Sequence, residues 1–402
     1  MDIRPILSAL THHKTGTLLV ALQIAVSLAI IVNAMFIINQ RIEKMSRPTG
    51  MDVPNLIAVS IRATSNEYDK IANARRDLAW LREHPDVVQA TVSNHVPLSG
   101  SGSSTGLRAV ADEEVTPVGT GRYNFDDKGL ETLGANLVRG RNFYPEEVMI
   151  RRQGDEPRSS DVVIVTQALA DELFPDEDAL GKTVYWGSLD PATIIGIVDH
   201  MHGSWVNWDG LDRNVFHARI SDGTFTRYLI RAKPGRRDAL MAELETELSE
   251  LNRNRVIREV RAHEDMVARS YEIDRAMTNI LIAVITLLTL LTALVIVGLA
   301  SYFVSQRTRQ IGTRRALGAT RMDILRYFLL ENWLITTLGA VVGCVLTIGV
   351  SYVLETNFEL PRLDWRYLAV SVVALWAISQ LAAYWPARRA MDVPPAVATR
   401  SV

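Results

Sequence analysis

Residues 277–304 read MTNILIAVITLLTLLTALVIVGLASYFV, and residues 306–326 read QRTRQIGTRRALGATRMDILR. The first stretch holds no Asp, Glu, Lys or Arg and is longer than the ~20 residues a helix needs to cross a ~30 Å hydrocarbon core. The surplus has two readings, a start that projects outward as a stalk or a tilted helix. The second stretch carries Arg307, Arg309, Arg314, Arg315, Arg321 and Arg326 against Asp323 alone. Arginine accumulates in short loops on the cytoplasmic side of a membrane, so one span and one orientation follow together.

Working outward, Thr17 to Ile38 is a second apolar run, with Gln23 and Asn33 as its polar interruptions. A secretory signal would be shorter and end on a small-x-small cleavage site. This run ends Met35-Phe-Ile-Ile-Asn-Gln40 and reads as an uncleaved helix. Tyr327 to Leu354 and Tyr367 to Trp385 complete four spans, the last bracketed by Trp365, Tyr367, Tyr384 and Trp385 as interfacial anchors. The spans are set at 17–39, 276–304, 327–354 and 367–386. Arg4 and Lys14 at the N-terminus, and Arg388, Arg389 and Arg400 in the tail, join the arginine loop on the cytoplasmic side. Segments 1–16, 305–326 and 387–402 therefore lie there. The 40–275 region and the 355–366 loop, which sets Glu355, Glu359 and Asp364 beside Arg362 and Arg366, lie outside. The expected location is a bacterial inner membrane, multi-pass.

Composition agrees with a membrane bundle diluted by a polar domain: 402 residues, net charge -2, 48% hydrophobic side chains, and a mean hydropathy of +0.08. No basic excess points to nucleic acid. The single cysteine, Cys344, excludes an internal disulfide framework and a Cys-rich zinc site.

The 40–275 region mixes periods. Leu56 to Arg62 alternates like a half-buried strand; Val162 to Val165 and Thr193 to Val198 are β-branched runs suited to buried strands; Val256 to Val260 is a further strand. Tyr68 to His84 has helical spacing through Ile71, Leu78 and Leu81, Gln167 to Leu173 is a short helix before Pro175, and Arg236 to Leu251 is amphipathic. Ser99 to Gly106 and Arg151 to Ser160 read as flexible loops. The expected fold is an α-helical membrane protein with four transmembrane helices plus a large α+β periplasmic domain of two lobes, inserted between helices 1 and 2.

Chemistry is sparse. Gly181-Lys182-Thr183 ends like a phosphate-cradling loop, but Asp176 stands where the first glycine is required. Asp199-His-Met-His202 with His217 could ligate a metal, but without thiols or a helical His pair it reads first as a polar turn after the strand ending at Val198. No catalytic constellation stands out. Gly339-Ala-Val-Val-Gly343 permits close helix approach within the membrane. Glu331, near the start of the third span, reads first as a capping or interfacial carboxylate and second as an intramembrane functional one. In the arginine loop, Ile311, Ala316 and Leu317 sit among Arg307, Arg309, Gln310, Arg314 and Arg315, with Gly312 and Gly318 as breaks. Taken alone, that pattern fits an amphipathic docking face and a lipid-headgroup contact equally.

The arginine loop resembles that of the MacB/FtsX-type permeases of ABC transporters, the mechanotransmission group, whose motif R-T-x-E-I-G-x-R-R-A-L-G-A stands here as Arg307 to Ala319. The likeness continues through Asp323-Ile-Leu, Glu331 and Pro386 to Ala396. Leu133 to Phe143 and Leu173 to Val184 are similar to two elements of the family's periplasmic core domain, the second accounting for Gly181-Lys182-Thr183 without a nucleotide. The resemblance implies a non-catalytic permease subunit that pairs with a second permease, homodimeric or heterodimeric. It implies a cytoplasmic ABC ATPase docking near Ile311 to Leu317, with ATP and Mg on that partner and no cofactor on this chain. A periplasmic adaptor is a further partner the family allows. Two departures stand out: no fused ATPase domain is read, so the ATPase is expected as a separate chain, and Gln310 replaces the loop's usual acid. Export or extrusion of a periplasmic substrate leads; signalling to a periplasmic enzyme and lipoprotein release remain alternatives.

Overall fold

The computed structural model describes residues 14–65, 68–152, 155, 160–187, 190–222, 226–358 and 361–394. Arg4, Glu359, Arg400, the end of the tail motif and most of the stretch between Arg151 and Ser160 lie outside them. The chain forms two compact units, one of residues Arg47–Ile273 and one of the flanking segments.

Helix α1 (Lys14–Ser46) opens the membrane unit. The inserted domain follows with β1 (Leu56–Ala63), α2 (Lys70–Glu83), β2 (Val87–Ser93), β3 (Ser104–Leu107), β4 (Val118–Phe125), α3 (Gly129–Leu133), β5 (Leu137–Gly140) and β6 (Met149–Arg151). It continues through β7 (Val162–Thr166), α4 (Gln167–Leu173), β8 (Thr183–Tyr185), β9 (Pro191–Val198), β10 (Asn214–Ser221), β11 (Thr226–Ala232), α5 (Arg237–Leu251), β12 (Arg255–Ala262) and α6 (His263–Ser270). The membrane unit resumes with α7 (Glu272–Gln306), α8 (Thr308–Ala316), α9 (Arg321–Phe358) and α10 (Trp365–Met391).

The two lobes take the form of two sheets. The smaller is antiparallel, in the order β12-β1-β11-β2; the larger is mixed, with the path β3-β4-β10-β7-β9-β5, β6 beside β10 and β8 beside β9. Helix α2 starts where the Asp69 carboxylate accepts the Ile71 and Ala72 amides at 3.1 and 2.9 Å, satisfying two of the N–H groups a helix start leaves open. It lays Ile71, Ala74, Leu78 and Leu81 inward. Leu240, Leu244 and Leu248 of α5, four residues apart, do the same. Both helices cover one face of the smaller sheet, on Ile57, Val59 and Ile61. Leu56 and Ala58 on the other face join Tyr123, Phe125, Ile164 and Phe216 of the larger sheet in a shared core.

Two sequence expectations change. Strand β1 is covered on both faces rather than half-buried, because helices and the larger sheet lie on opposite sides of it. The stretch 99–106 is not wholly loop: Ser104 to Gly106 enter β3 and pair with Gly121 to Gly119 of β4. Runs of Ser, Thr and Gly look like loop, but an edge strand needs little from its side chains when its backbone is paired.

In the membrane unit, α7 is 35 residues, ~52 Å of helix at 1.5 Å per residue. Arg41 and Lys44 of α1 both bond the Asp274 carboxylate near its start. This clasp of three charges ties that end of the two helices together. Polar groups cross-link the spans: Thr292 donates to Ser27 at 3.0 Å, Asn332 to the Ser379 hydroxyl at 2.9 Å, and Thr336 meets Ser379 at 2.5 Å. Gly339 and Gly343 of α9 pack on α1. A Cβ on Gly339 would meet Ile24 at 2.7 Å and the Ala21 carbonyl at 2.8 Å, and one on Gly343 would meet Leu28 and the Ala25 backbone at 3.0–3.1 Å. These small residues let the two backbones approach.

Candidate functional site

The arginine loop folds as the short helix α8 between two spans. Gly318 ends it, with φ +99, where the Ala319 amide bonds the Arg314 carbonyl at 3.0 Å and the Gly318 amide bonds the Arg315 carbonyl at 3.2 Å. This paired closure needs a left-handed residue, a conformation glycine adopts without Cβ strain. Asp323 then accepts the Thr320 amide and hydroxyl at 3.0 and 2.6 Å, opening α9 one residue later. The chain is thus held through two sharp, capped turns.

The helix has two faces of different character. On the inner face, Arg307 lies at the N-terminal boundary and places Nη1 2.9 Å from both oxygens of Glu331 on α9, with side chains only 9% and 4% exposed. The Phe303 ring stands 5.6 Å from the guanidinium carbon. Ile311 packs with Ile324, Leu325, Phe328, Ala387 and Ala390, and Gly312 is buried beside it. Arg315 donates to the Met391 carbonyl at 3.1 Å, tying the helix to the end of α10. On the outer face, Arg309, Gln310, Thr313, Arg314, Ala316 and Gly318 are exposed, and Leu317 is 84% exposed. Arg314 also lies over the Tyr327 ring at 4.6 Å.

The structure therefore divides residues that the sequence grouped. Ile311, read as part of the presented apolar face, is an internal anchor; Leu317, with Ala316, is the apolar element left outside. Glu331, read as a cap or interfacial carboxylate, is the partner of Arg307, 24 residues away. Spacing could not show that contact, since it depends on how α9 packs; a carboxylate near an apolar run was its one visible signal.

Other candidates resolve locally. Gly181-Lys182-Thr183 is a turn into β8, the Gly181 amide bonding the Ile194 carbonyl at 2.8 Å and Lys182 paired with Glu177. His202 faces Asp212 at 3.3 Å, His200 bonds the Pro48 carbonyl at 3.2 Å, and His217 is buried against Trp186 at 4.3 Å between ring centroids. His200 and His202 lie edge to face at 6.4 Å between ring centroids, and among the described residues these three histidines form no cluster with metal-ligand proximity. Among the described residues, His84, Glu243 and Glu247 form the cluster with metal-ligand proximity. His84 Nδ1 accepts the Asp86 amide at 3.2 Å, so in the neutral ring Nε2 holds the proton and faces Glu247 at 3.9 Å. A protonated nitrogen has no lone pair for a metal.

Four long apolar helices, a two-sheet domain between the first two and a capped basic helix between the second and third define a multi-pass membrane protein with a large inserted domain. The profile of the MacB-like periplasmic core domain matches residues 17–247, and that of the FtsX-like permease C-terminal region matches 282–395. The chain belongs to the MacB/FtsX-type ABC transporter permeases. It is similar to the macrolide export ATP-binding/permease protein MacB of Neisseria meningitidis serogroup A, 26% identical over 409 residues, covering 96% of this chain and 58% of that protein. It is also similar to the uncharacterized ABC transporter permease YknZ of Bacillus subtilis, 22% identical over 414 residues, covering 99% and 98%. The chain thus spans just over half the length of the Neisseria relative and nearly all of the Bacillus one. Among solved structures, the periplasmic region of MacB from Actinobacillus actinomycetemcomitans matches 57% of this chain at 17% identity, with a TM-score of 0.36.

Proposed function

We propose that this chain is the permease subunit of an ABC-type machine whose ATPase is a separate cytoplasmic chain docking on the outer face of α8. The observation that carries the proposal is the division of that helix. Its inner face is joined to α9 and α10 through Arg307–Glu331, Ile311 and Arg315, while Leu317 stands exposed beside Arg309, Gln310 and Thr313. A push on the outer face would be passed to the spans by contacts already made. The net positive charge of this loop supports a cytoplasmic position and a periplasmic position for the inserted domain. ATP and Mg would be held by the partner, and a second permease, identical or related, would complete the unit. A separate ATPase is also supported by the near full-length match to a relative named as a permease alone.

On this reading, ATP-driven closure moves α7 and its stalk, and the inserted domain changes shape to drive export or extrusion of a periplasmic substrate. Coexpression with an ATPase encoded beside this chain tests it. Leu317→Asp should reduce the co-purified ATPase about tenfold, the loss of one apolar anchor, with membrane insertion unchanged. Equal recovery of ATPase with Leu317→Asp would remove the docking role.

A further inference from the structure

The inserted domain is joined to the rest of the chain twice, by an entry segment, 47–52, that follows α1, and by an exit at Ser270, the last residue of α6. Both connections converge on the short segment 199–204 that follows β9. On the entry side, the His202 amide donates to the Thr49 carbonyl at 3.0 Å, and His200 Nε2 lies 3.2 Å from the Pro48 carbonyl. Gly50 has φ +75, and a Cβ there would come within 2.1 Å of the His200 carbonyl oxygen, so the two backbones touch directly. On the exit side, the Ser270 hydroxyl donates to the Leu98 carbonyl. The Leu98 amide donates to the Gly203 carbonyl at 3.0 Å, and the Gly100 amide to the Ser204 carbonyl at 2.9 Å. We infer that segment 199–204 is a mechanical latch, which binds entry and exit into one linkage and passes displacement of either to the centre of the larger sheet.

The latch is itself fastened to that sheet. Asn214, the fully buried first residue of β10, donates through Nδ2 to the Met201 carbonyl at 2.6 Å and the Leu211 carbonyl at 3.0 Å. The Gly203 amide bonds the Leu211 carbonyl at 2.6 Å. Ser204 Oγ meets the Tyr123 hydroxyl of β4 at 2.8 Å. Strand β9 runs into the segment directly, so β4, β9 and β10 all meet there. Backbone held in this way is stiff, because each buried bond broken leaves a polar group without water.

Leu98 marks the tightest point of the linkage. Among the described residues it is the non-glycine residue with positive φ, +54, and its side chain is fully buried. A leucine keeps this backbone only where its surroundings over-determine it, and such positions gather at clamps and switches. Here Ser270 holds its carbonyl and Gly203 its amide. Gly102, a few residues on, has no room for a Cβ, which would lie 2.5 Å from the Ser204 side chain.

The linkage is tested in the full chain in lipid nanodiscs without an ATPase; its use in transport alone rests on the reading proposed above. Hydrogen exchange is followed at single amides by fragment-resolved mass spectrometry. Ser270→Ala removes one exit contact from a half-buried side chain. It should speed exchange at Leu98 and also at His202, whose amide is held by the entry segment, by about fivefold each, the worth of one neutral hydrogen bond. His200→Ala, losing the Pro48 contact, should in turn speed exchange at Leu98. Acceleration confined to Leu98 and Gly100 in the first variant and to His202 in the second would show two independent attachments and overturn the latch. Equal acceleration throughout β1 would mean general loosening and overturn it as well. With the ATPase added and hydrolysis blocked, exchange should change at α8 and at 199–204 together. Change at α8 alone would overturn the latch as a transmitter; change at neither would overturn the ATPase reading, a failure distinct from that of the linkage.

Discussion

In the inserted domain Arg255 meets Asp77 with both side chains fully buried. Tyr228 donates its hydroxyl to the same carboxylate at 2.7 Å, and Arg255 reaches the Leu248 carbonyl through Nε at 3.0 Å. In the membrane unit Arg307 meets Glu331 through a single nitrogen, with the Phe303 ring as neighbour. The first pair is wired into a network joining α2, β11, β12 and the end of α5, and it fixes one core. The second spans from a loop helix to a membrane helix and fixes the position of one element against another. Two ion pairs of similar burial can therefore serve different ends, and their surroundings separate them.

Asp77→Ala should break the contrast most visibly. It leaves a buried guanidinium unpaired, at a cost of ~3–5 kcal/mol, and should strip the inserted domain of its cooperative unfolding in a denaturant titration. Retained cooperativity at an unchanged midpoint would show that the network is not a stabilising core.

Acid should sharpen the same side. Burial pushes His263 down to about 4, and neither ring nitrogen has a hydrogen-bond partner. The folded domain holds it neutral while the unfolded chain takes up a proton near ~6.5. The stability from this group is therefore complete above that value and is lost as pH falls toward 4, by on the order of 3 kcal/mol. His217, held well below its ordinary value first by burial and then by Arg219 and Arg122, has the same sign. Denaturant midpoints between pH 7 and pH 4 should fall more steeply in the wild type than in His263→Leu; parallel slopes would contradict the assignment.

Gly339→Leu probes packing in the membrane unit without touching its ion pair. The side chain has no room between Ile24 and the Ala21 carbonyl, and overpacking of this kind costs ~1–3 kcal/mol. A lowered thermal midpoint in detergent is expected; no change would mean that α1 and α9 separate easily. The smallest effect belongs to Leu317→Asp, whose exposed side chain should change stability by less than ~0.5 kcal/mol, so that any functional loss is not a folding loss.

The four spans were legible because an uninterrupted apolar run has few other uses, and α2, α4 and α5 because their apolar residues repeat at helical spacing. Strands β10 and β11 were not, although they are central to their sheets. His217 and Arg219 in one, and Arg227 and Arg231 in the other, blunt the apolar pattern, and only the packed domain shows that His217 is buried against Trp186. The arginine helix was legible as a motif, but not its division. Ile311 and Leu317 are equally apolar in sequence, and which one faces inward is decided by α9 and α10.

That division is the central claim, and site-specific photo-crosslinking tests it most directly. A benzophenone side chain is placed at Leu317 or, as a lipid-facing control, at Leu338, exposed on α9, with the ATPase coexpressed. The account predicts an ATPase adduct from position 317, stronger when ATP is bound and hydrolysis is blocked, and none from position 338. Equal labelling from both positions, or none from 317 while the complex still co-purifies, would contradict it.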